Sequence, residues 1–179
     1  MPKFRKMNSK YFYLMLIFTL ISCNEKSEKN IVSKDNFSVI IEGIFAKNDK
    51  IQVFYLTAEK DWNDENSVVT PIYASGEMQK LQIDLPQKAI PTNIRVDVGE
   101  NQFQSNITLK NISVLYKNDT INGDMEDFKM LFSPNEFITW DPVYFGYKLS
   151  KINNSYDPYF IGNDLLIDKL DIIKDQTKD

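Results

Sequence analysis

From residue 37 onward, apolar residues come in short runs that alternate with polar residues and are separated by turn-forming residues. In the run 81–85, for example, Leu81, Ile83 and Leu85 share one face of an extended strand, a period-two pattern typical of half-buried strands. The runs 37–46 and 51–56 flank the turn-forming pair Asn48-Asp49, so we expect these two strands to form a hairpin. Further strands are predicted at 68–74, 78–85, 94–98, 107–116, 136–140, 144–149 and 159–161.

Three segments depart from simple alternation. In 107–116, Ile107 and Leu109 share one face of the strand, whereas Ile112 and Val114 are in the opposite phase. Such a change of phase predicts a β-bulge, in which one extra residue re-aims the strand. The segments 124–132 and 164–173 carry apolar residues at helical spacing and predict two short helices.

These elements together predict the fold class. Many short strands separated by turns indicate an all-β fold, an antiparallel β-sandwich with one or two short helices. The chain has 179 residues, of which 42% are hydrophobic, enough for one globular domain but too few for two. We expect residues 35–179 to form this single domain, which at this size needs no disulfide bonds to fold.

The order of the strand motifs at 51–55, 67–69, 94–99, 107–109 and 112–114, with Leu85-Pro86 between them, resembles the galactose-binding-like jelly rolls of bacterial envelope proteins. The resemblance spans Asp35 to Tyr116. It implies a domain similar to carbohydrate-binding modules. Such a domain often has no catalytic activity of its own and binds a glycan or serves as a scaffold.

The start of the chain has a different pattern. Residues 1–10 carry four basic residues and no acidic one, and residues 11–21 are apolar. A helix of about eleven residues spans only ~16 Å of a bilayer core of ~30 Å, so a signal peptide is favoured over a membrane-spanning helix. The apolar run ends at Leu20-Ile21-Ser22-Cys23, which resembles the lipobox of bacterial lipoproteins.

The resemblance to lipoproteins implies that residues 1–22 are removed and that Cys23 carries the lipid. Residues 23–34 then form a polar tether similar to those of Bacteroidetes-type surface lipoproteins. The alternative is an ordinary secretory signal with an incidental cysteine. We therefore expect the cell envelope as the location and a membrane as the partner held through Cys23. Asn24 stands where an aspartate would retain a lipoprotein at the inner membrane, so the outer membrane is favoured, with its periplasmic and exterior sides both open.

The amino-acid composition excludes several kinds of catalytic and metal-binding site. The chain contains no histidine and one cysteine, which excludes Ser/His/Asp triads, Cys/His dyads, classical zinc sites and internal disulfides. Removal of residues 1–22 leaves 17 basic and 25 acidic residues, a net charge of −8. An acidic surface repels phosphate backbones, so we expect no nucleic-acid partner.

Aromatic residues beside polar ones mark the candidate ligand site. Trp62 lies in a polar loop with Asn63 and Asp64, and Trp140 precedes the turn-forming pair Asp141-Pro142. A pyranose face stacks on an aromatic ring while neighbouring polar side chains bond its hydroxyl groups, so these residues predict a glycan site. The alternative is that Trp62 folds back over the edge of the core.

The same loop contains the candidate metal ligands Asp61, Asp64 and Glu65. An EF-hand would need glycine at its sixth position and glutamate at its twelfth, where this chain has Asn66 and Ile72. A structural calcium ion held by loop carboxylates is therefore the only cofactor that we consider, and a solvated acidic turn is the alternative.

Arg95 and Asp97 stand two residues apart on one strand face and predict an ion pair rather than a ligand site. Taken together, these features predict a lipid-anchored, non-catalytic envelope protein that binds a glycan or envelope polymer through loops of its sandwich. The alternatives are a structural or protein-interaction lipoprotein of an envelope complex and a small glycoside hydrolase that uses two carboxylates.

Overall fold

The structure is a computed structural model that describes residues 35–59 and 61–175. The predicted signal peptide 1–22, the tether 23–34 and Cys23 lie outside these residues. The described strands are β1 Ser38–Phe45, β2 Asp49–Leu56, β3 Ser67–Ile72, β4 Gln79–Asp84, β5 Asn93–Asp97, β6 Asn106–Tyr116, β7 Asp119–Ile121, β8 Phe132–Pro134, β9 Ile138–Asp141, β10 Gly146–Leu149 and β11 Tyr159–Gly162. One α-helix, α1 Asp164–Asp175, follows them, and 3-10 turns lie at Asp64–Asn66 and Asp124–Met130.

The strands form two antiparallel sheets that share one core. The first sheet has the order β4-β1-β6-β10-β9, with β7 also paired to β6, and the second has the order β3-β2-β5-β11-β8. Apolar side chains from both sheets form one buried cluster, in which Ile41, Val53, Val96 and Val114 have no exposed surface. The predicted all-β antiparallel sandwich is confirmed.

The predicted hairpin between the first two strands is wrong. Strand β1 pairs with β4 and β6 in one sheet, whereas β2 pairs with β3 and β5 in the other. Their connection crosses between the sheets and is fixed by Asp49, whose carboxylate accepts hydrogen bonds from the backbone N–H groups of Glu100 (2.9 Å) and Asn101 (3.0 Å). Since residues 98–105 join β5 to β6 across the sheets, one carboxylate ties two crossing connections together.

The predicted bulge is confirmed in β6. Glu42 of β1 pairs with Asn111 and Gly43 pairs with Leu109, so Lys110 is the extra residue. The ammonium group of Lys110 lies 3.3 Å from the carboxylate of Glu42 and 3.0 Å from that of Asp124. The bulge thus lets Ile107 and Ile112, which differ in phase, both face the core.

One of the two predicted helices forms. Helix α1 buries Leu166, Leu170 and Ile173 against the core, as their spacing predicts. The predicted helix 124–132 does not form: residues 124–130 make 3-10 turns, because Met125 (φ 55°) and Glu126 (φ 72°) have left-handed backbone angles that interrupt a helix, and residue 132 begins β8. No helix among the described residues is long and apolar enough to cross a membrane.

Three aromatic rings fill the core near one edge of the sandwich. The ring of Phe160 lies 5.1 Å from that of Tyr147 and 5.9 Å from that of Phe128, with interplanar angles of 82° and 79°. These are edge-to-face contacts, which suit the charge distribution of aromatic rings. They join β11 of one sheet to β10 of the other.

Candidate functional site

The outer face of the five-stranded sheet carries polar and aromatic side chains. Register places Val53, Val96 and Phe160 side by side across β2, β5 and β11, and all three are buried. Because side chains alternate along a strand, their neighbours point outward. We call this outward set the Arg95 face; it consists of Gln52, Phe54, Arg95, Asp97 and Tyr159.

Arg95 is the centre of this face. Its Nε and Nη2 atoms each donate a hydrogen bond of 2.7 Å to the carboxylate of Asp97, and Nη2 also donates to Asp157 at 3.1 Å. The predicted ion pair of Arg95 and Asp97 is therefore confirmed, in bidentate form. The guanidinium carbon lies 3.8 Å from the ring centroid of Tyr159 and 5.2 Å from that of Phe54, within the range of cation–π contacts.

Burial and charge act against each other at this pair. Partial burial raises the pKa of the Asp97 carboxyl, and the bonds from Arg95 offset only part of that effect. For Arg95, burial lowers the pKa, but the bonds and charge of Asp97 outweigh it, so the pKa is raised and the guanidinium stays charged. The side chains of Arg95 and Asp97 are 23% and 17% exposed, so both still reach the surface.

A small polar cavity of about 50 Å³ adjoins the Arg95 face. Beside Asp97 and Asp157 it is lined by Tyr156 and by the ion pair of Lys50 and Glu100, whose charged atoms lie 2.7 Å apart. The hydroxyl of Tyr156 donates to the backbone oxygen of Gln104 at 3.0 Å, and burial raises its pKa to about 12. The cavity thus offers donors and acceptors beside a row of planar groups.

In the predicted loop site, one polar side chain, that of Asn63, makes its hydrogen bond within the loop itself. Trp62 is half-buried, and the side-chain oxygen of Asn63 caps the 3-10 turn by accepting the backbone N–H of Asn66 at 3.0 Å. Asp61, Asp64 and Glu65 are exposed. Within residues 35–59 and 61–175, no three or more acidic or cysteine side chains are grouped as metal ligands. Calcium in this loop stays a prediction.

A cavity of about 410 Å³ lies beside this loop, between the end of β2 and residues 86–92. Asn66 contributes to its wall and is 1% exposed, while Trp62 does not line it. The side-chain oxygen of Asn66 has no hydrogen-bond partner among the described residues, whereas its amide nitrogen donates to the backbone oxygen of Asp61 at 3.0 Å. The loop therefore borders a cavity without aiming its tryptophan into it.

Trp140 lies in a different place, at the edge of the six-stranded sheet. With Tyr147 it forms one wall of an apolar cleft of about 320 Å³, and Phe132, Pro134 and Phe160 form the other wall. The ammonium group of Lys129 lies 3.7 Å from the centre of the Trp140 ring. The loop of Trp62 joins β2 to β3, at the far edge of the other sheet, so the structure does not bring Trp62, Asn63 and Asp64 together with Trp140.

The sequence pattern indicates the ion pair at the centre of the Arg95 face but not the face as a unit. Gln52 and Phe54 alternate with the buried residues Ile51, Val53 and Tyr55, a signal that Phe54 points outward. Its proximity to Tyr159, 105 residues later in the chain, follows only from the pairing of β5 with both β2 and β11.

Fold and surface together define an antiparallel β-sandwich with one outward polar and aromatic sheet face. The chain matches no known protein family, no curated protein and no solved structure.

Proposed function

We propose that this chain is a lipid-anchored, non-catalytic protein of the cell envelope that binds a glycan on the Arg95 face. The observation that supports glycan binding is the stack of Phe54, Arg95 and Tyr159 across three adjacent strands, with Asp97 and Asp157 beside it. Planar groups next to hydrogen-bonding side chains are the combination that a sugar ring needs.

Arg95 can donate further hydrogen bonds to a ligand. Its hydrogen bonds within the described part of the chain use Nε and Nη2, and Nη1 makes none there. Asp157 is 52% exposed, so its carboxylate can accept hydrogen bonds from hydroxyl groups. Because Arg95 and Asp97 stand on strands, the site is held rigidly before any ligand arrives, which reduces the entropy lost on binding.

The charge of the surface favours a neutral glycan. Arg95 and Lys50 carry positive charge, whereas Asp97, Glu100 and Asp157 carry acidic groups. The predicted mature chain is acidic as well, with 17 basic and 25 acidic residues. A polymer rich in carboxylate or phosphate would be repelled.

The lipid anchor rests on the leader. Four basic residues, an apolar run and the motif that ends in Cys23 are the features that support it. We expect a fatty-acid label to be incorporated when the full chain is made in a bacterium that processes lipoproteins, and Cys23→Ser to abolish it. Labelling that persists in Cys23→Ser would refute the anchor.

The glycan proposal is tested by retention of the full-length protein on a panel of immobilised neutral and acidic polysaccharides. We expect Tyr159→Ala to weaken binding by roughly fivefold, since one stacking ring contributes on the order of 1 kcal/mol. Tyr73→Ala is the matched control, because Tyr73 is 67% exposed and lies outside the Arg95 face. Loss of binding in Trp62→Ala but not in Tyr159→Ala would move the site to the loop, and no retention by the unmutated protein would refute glycan binding.

A further inference from the structure

The turn between β9 and β10 exposes three large apolar side chains in a row. Val143, Tyr144 and Phe145 are 82%, 66% and 75% exposed. No side chain in the segment 142–147 is charged. We call residues 142–145 the hairpin tip. A continuous exposed apolar segment of this kind is a sign of an interaction surface.

The hairpin tip has a fixed shape. The carboxylate of Asp141 accepts the backbone N–H of Val143 at 2.9 Å, and Phe145 has a left-handed φ of 49°. Gly146 packs so closely on β6 that a methyl group there would lie 2.7 Å from the backbone oxygen of Ile107. The apolar side chains are therefore presented by a turn that is braced against the sheet.

Below the tip lie groups that suit the interface between lipid and water. Trp140 pairs with Tyr147 on the same hairpin and is 37% exposed. Lys129 places its ammonium group over the indole, and neighbouring Met130 is 66% exposed. Tryptophan, tyrosine and lysine are enriched at the level of lipid headgroups because they combine apolar and polar parts.

Strand register gives the direction of the hairpin. Tyr147 pairs with Ile107 in antiparallel β6, so the chain before Tyr147 runs toward the far end of β6. That is the end at which Ser38 of β1 pairs with Leu115, and where the chain leaves the tether. The twelve residue steps from Cys23 to Asp35 span at most ~43 Å when fully extended, so a lipidated Cys23 would hold Asp35 within that distance of the bilayer.

We propose that the hairpin tip inserts into the surface of the bilayer that carries the lipid anchor, with Trp140 and Lys129 at headgroup level. The inference rests on the lipid anchoring in the proposed function. The tip is convex and uncharged, which suits a lipid surface, and interfacial apolar groups enter to a depth of about 5–10 Å. Insertion would orient the domain on the bilayer and add a second attachment beside the acyl chains of the anchor.

The two tryptophans of the chain make the test direct. We would produce the full chain as the processed lipoprotein with Trp62→Phe, so that Trp140 is the only tryptophan, and place it in phosphatidylcholine vesicles with or without brominated acyl chains. Because bromine quenches indole at short range, we expect about a twofold loss of Trp140 emission in the brominated vesicles if the indole sits at the interface. Adding Val143→Ser, Tyr144→Ser and Phe145→Asn should abolish that loss.

The control carries Tyr73→Ser and Phe103→Ser, which remove two exposed aromatic rings away from the hairpin tip and should leave the quenching unchanged. Circular dichroism of each variant confirms its fold. Equal Trp140 emission in both kinds of vesicle overturns the inference. If the same sample carries the fatty-acid label, the anchor is present and only the insertion of the hairpin tip is refuted. A sample without label contradicts the anchor, and the inference that rests on the anchor falls with it. Loss of a bound envelope protein in the tip variant without any quenching would assign the tip to a protein partner instead.

Discussion

Replacement of Phe160 by alanine should be among the most damaging changes to this fold. Phe160 is 1% exposed, and its ring contacts both Tyr147 and Phe128 edge-on, at 5.1 and 5.9 Å. Truncation of a buried phenylalanine costs about 3–5 kcal/mol, and loss of two aromatic contacts favours the middle of that range or above. We therefore expect a loss of about 4 kcal/mol in the free energy of unfolding.

Urea unfolding followed by circular dichroism measures this loss. With a slope of about 2 kcal/mol per molar urea, the midpoint should fall by roughly 2 M. The melting temperature should fall by roughly 12 °C, since each kcal/mol corresponds to about 3 °C in a domain of this size. The slope itself should not change, because the unmutated protein and Phe160→Ala expose nearly the same surface on unfolding.

Phe103→Ala is the matched control, because Phe103 is 84% exposed and the chemical change is the same. Surface substitutions of this kind stay within about 0.5 kcal/mol. Equal shifts of the urea midpoint in Phe160→Ala and Phe103→Ala would contradict this expectation. That result would mean that the three core rings do not join the two sheets.

Three further predictions concern stability and are measured by the same urea experiment. Gly123→Ala should cost about 2 kcal/mol, since the new methyl group would overlap the backbone oxygen of Ile112, whereas Gly76→Ala, which has open space, should cost far less. Asp49→Ala should cost about 1–3 kcal/mol by leaving the N–H groups of Glu100 and Asn101 without their acceptor, and an unchanged midpoint would contradict the bracing role of Asp49. Burial raises the pKa of Tyr156 from 10.0 to about 12, so the neutral phenol stabilises the fold fully below pH 10, and this stability is lost as the pH rises to 12. The loss of stability between pH 10 and 12 should be smaller in Tyr156→Phe than in the unmutated protein. An equal loss in both would assign it to other groups such as Tyr147, whose pKa burial also raises.

Most strands and their buried faces could be predicted because period-two alternation is a local property, whereas the three-residue strands β7 and β8 are too short to show it. The bulge at Lys110 was visible for the same reason, since it shifts the phase within a single strand. Sheet membership is not local. Asn48-Asp49 looks like a hairpin turn, but the Asp49 carboxylate bonds to residues more than fifty positions away and directs the chain into the other sheet.

The failed helix and the missed surface have related physical causes. Met125, Phe128 and Leu131 recur at helical spacing, yet only the last two are buried, and the left-handed backbone at Met125 leaves its side chain 75% exposed. The Arg95 face depends on residues of β2, β5 and β11 whose proximity is set by pairing across the sheet. A single sequence gives the outward phase of each strand and no information on which strands become neighbours.

The position of β1 also has a mechanical consequence. It is the first described strand after the predicted tether, and it lies between β4 and β6, paired along its whole length with β6. Hydrogen bonds of an antiparallel pair run perpendicular to the strands, so a pull directed along β1 shears many of them at once instead of opening them one by one. A protein held at its amino end on a moving membrane would therefore bear load through its most firmly held strand.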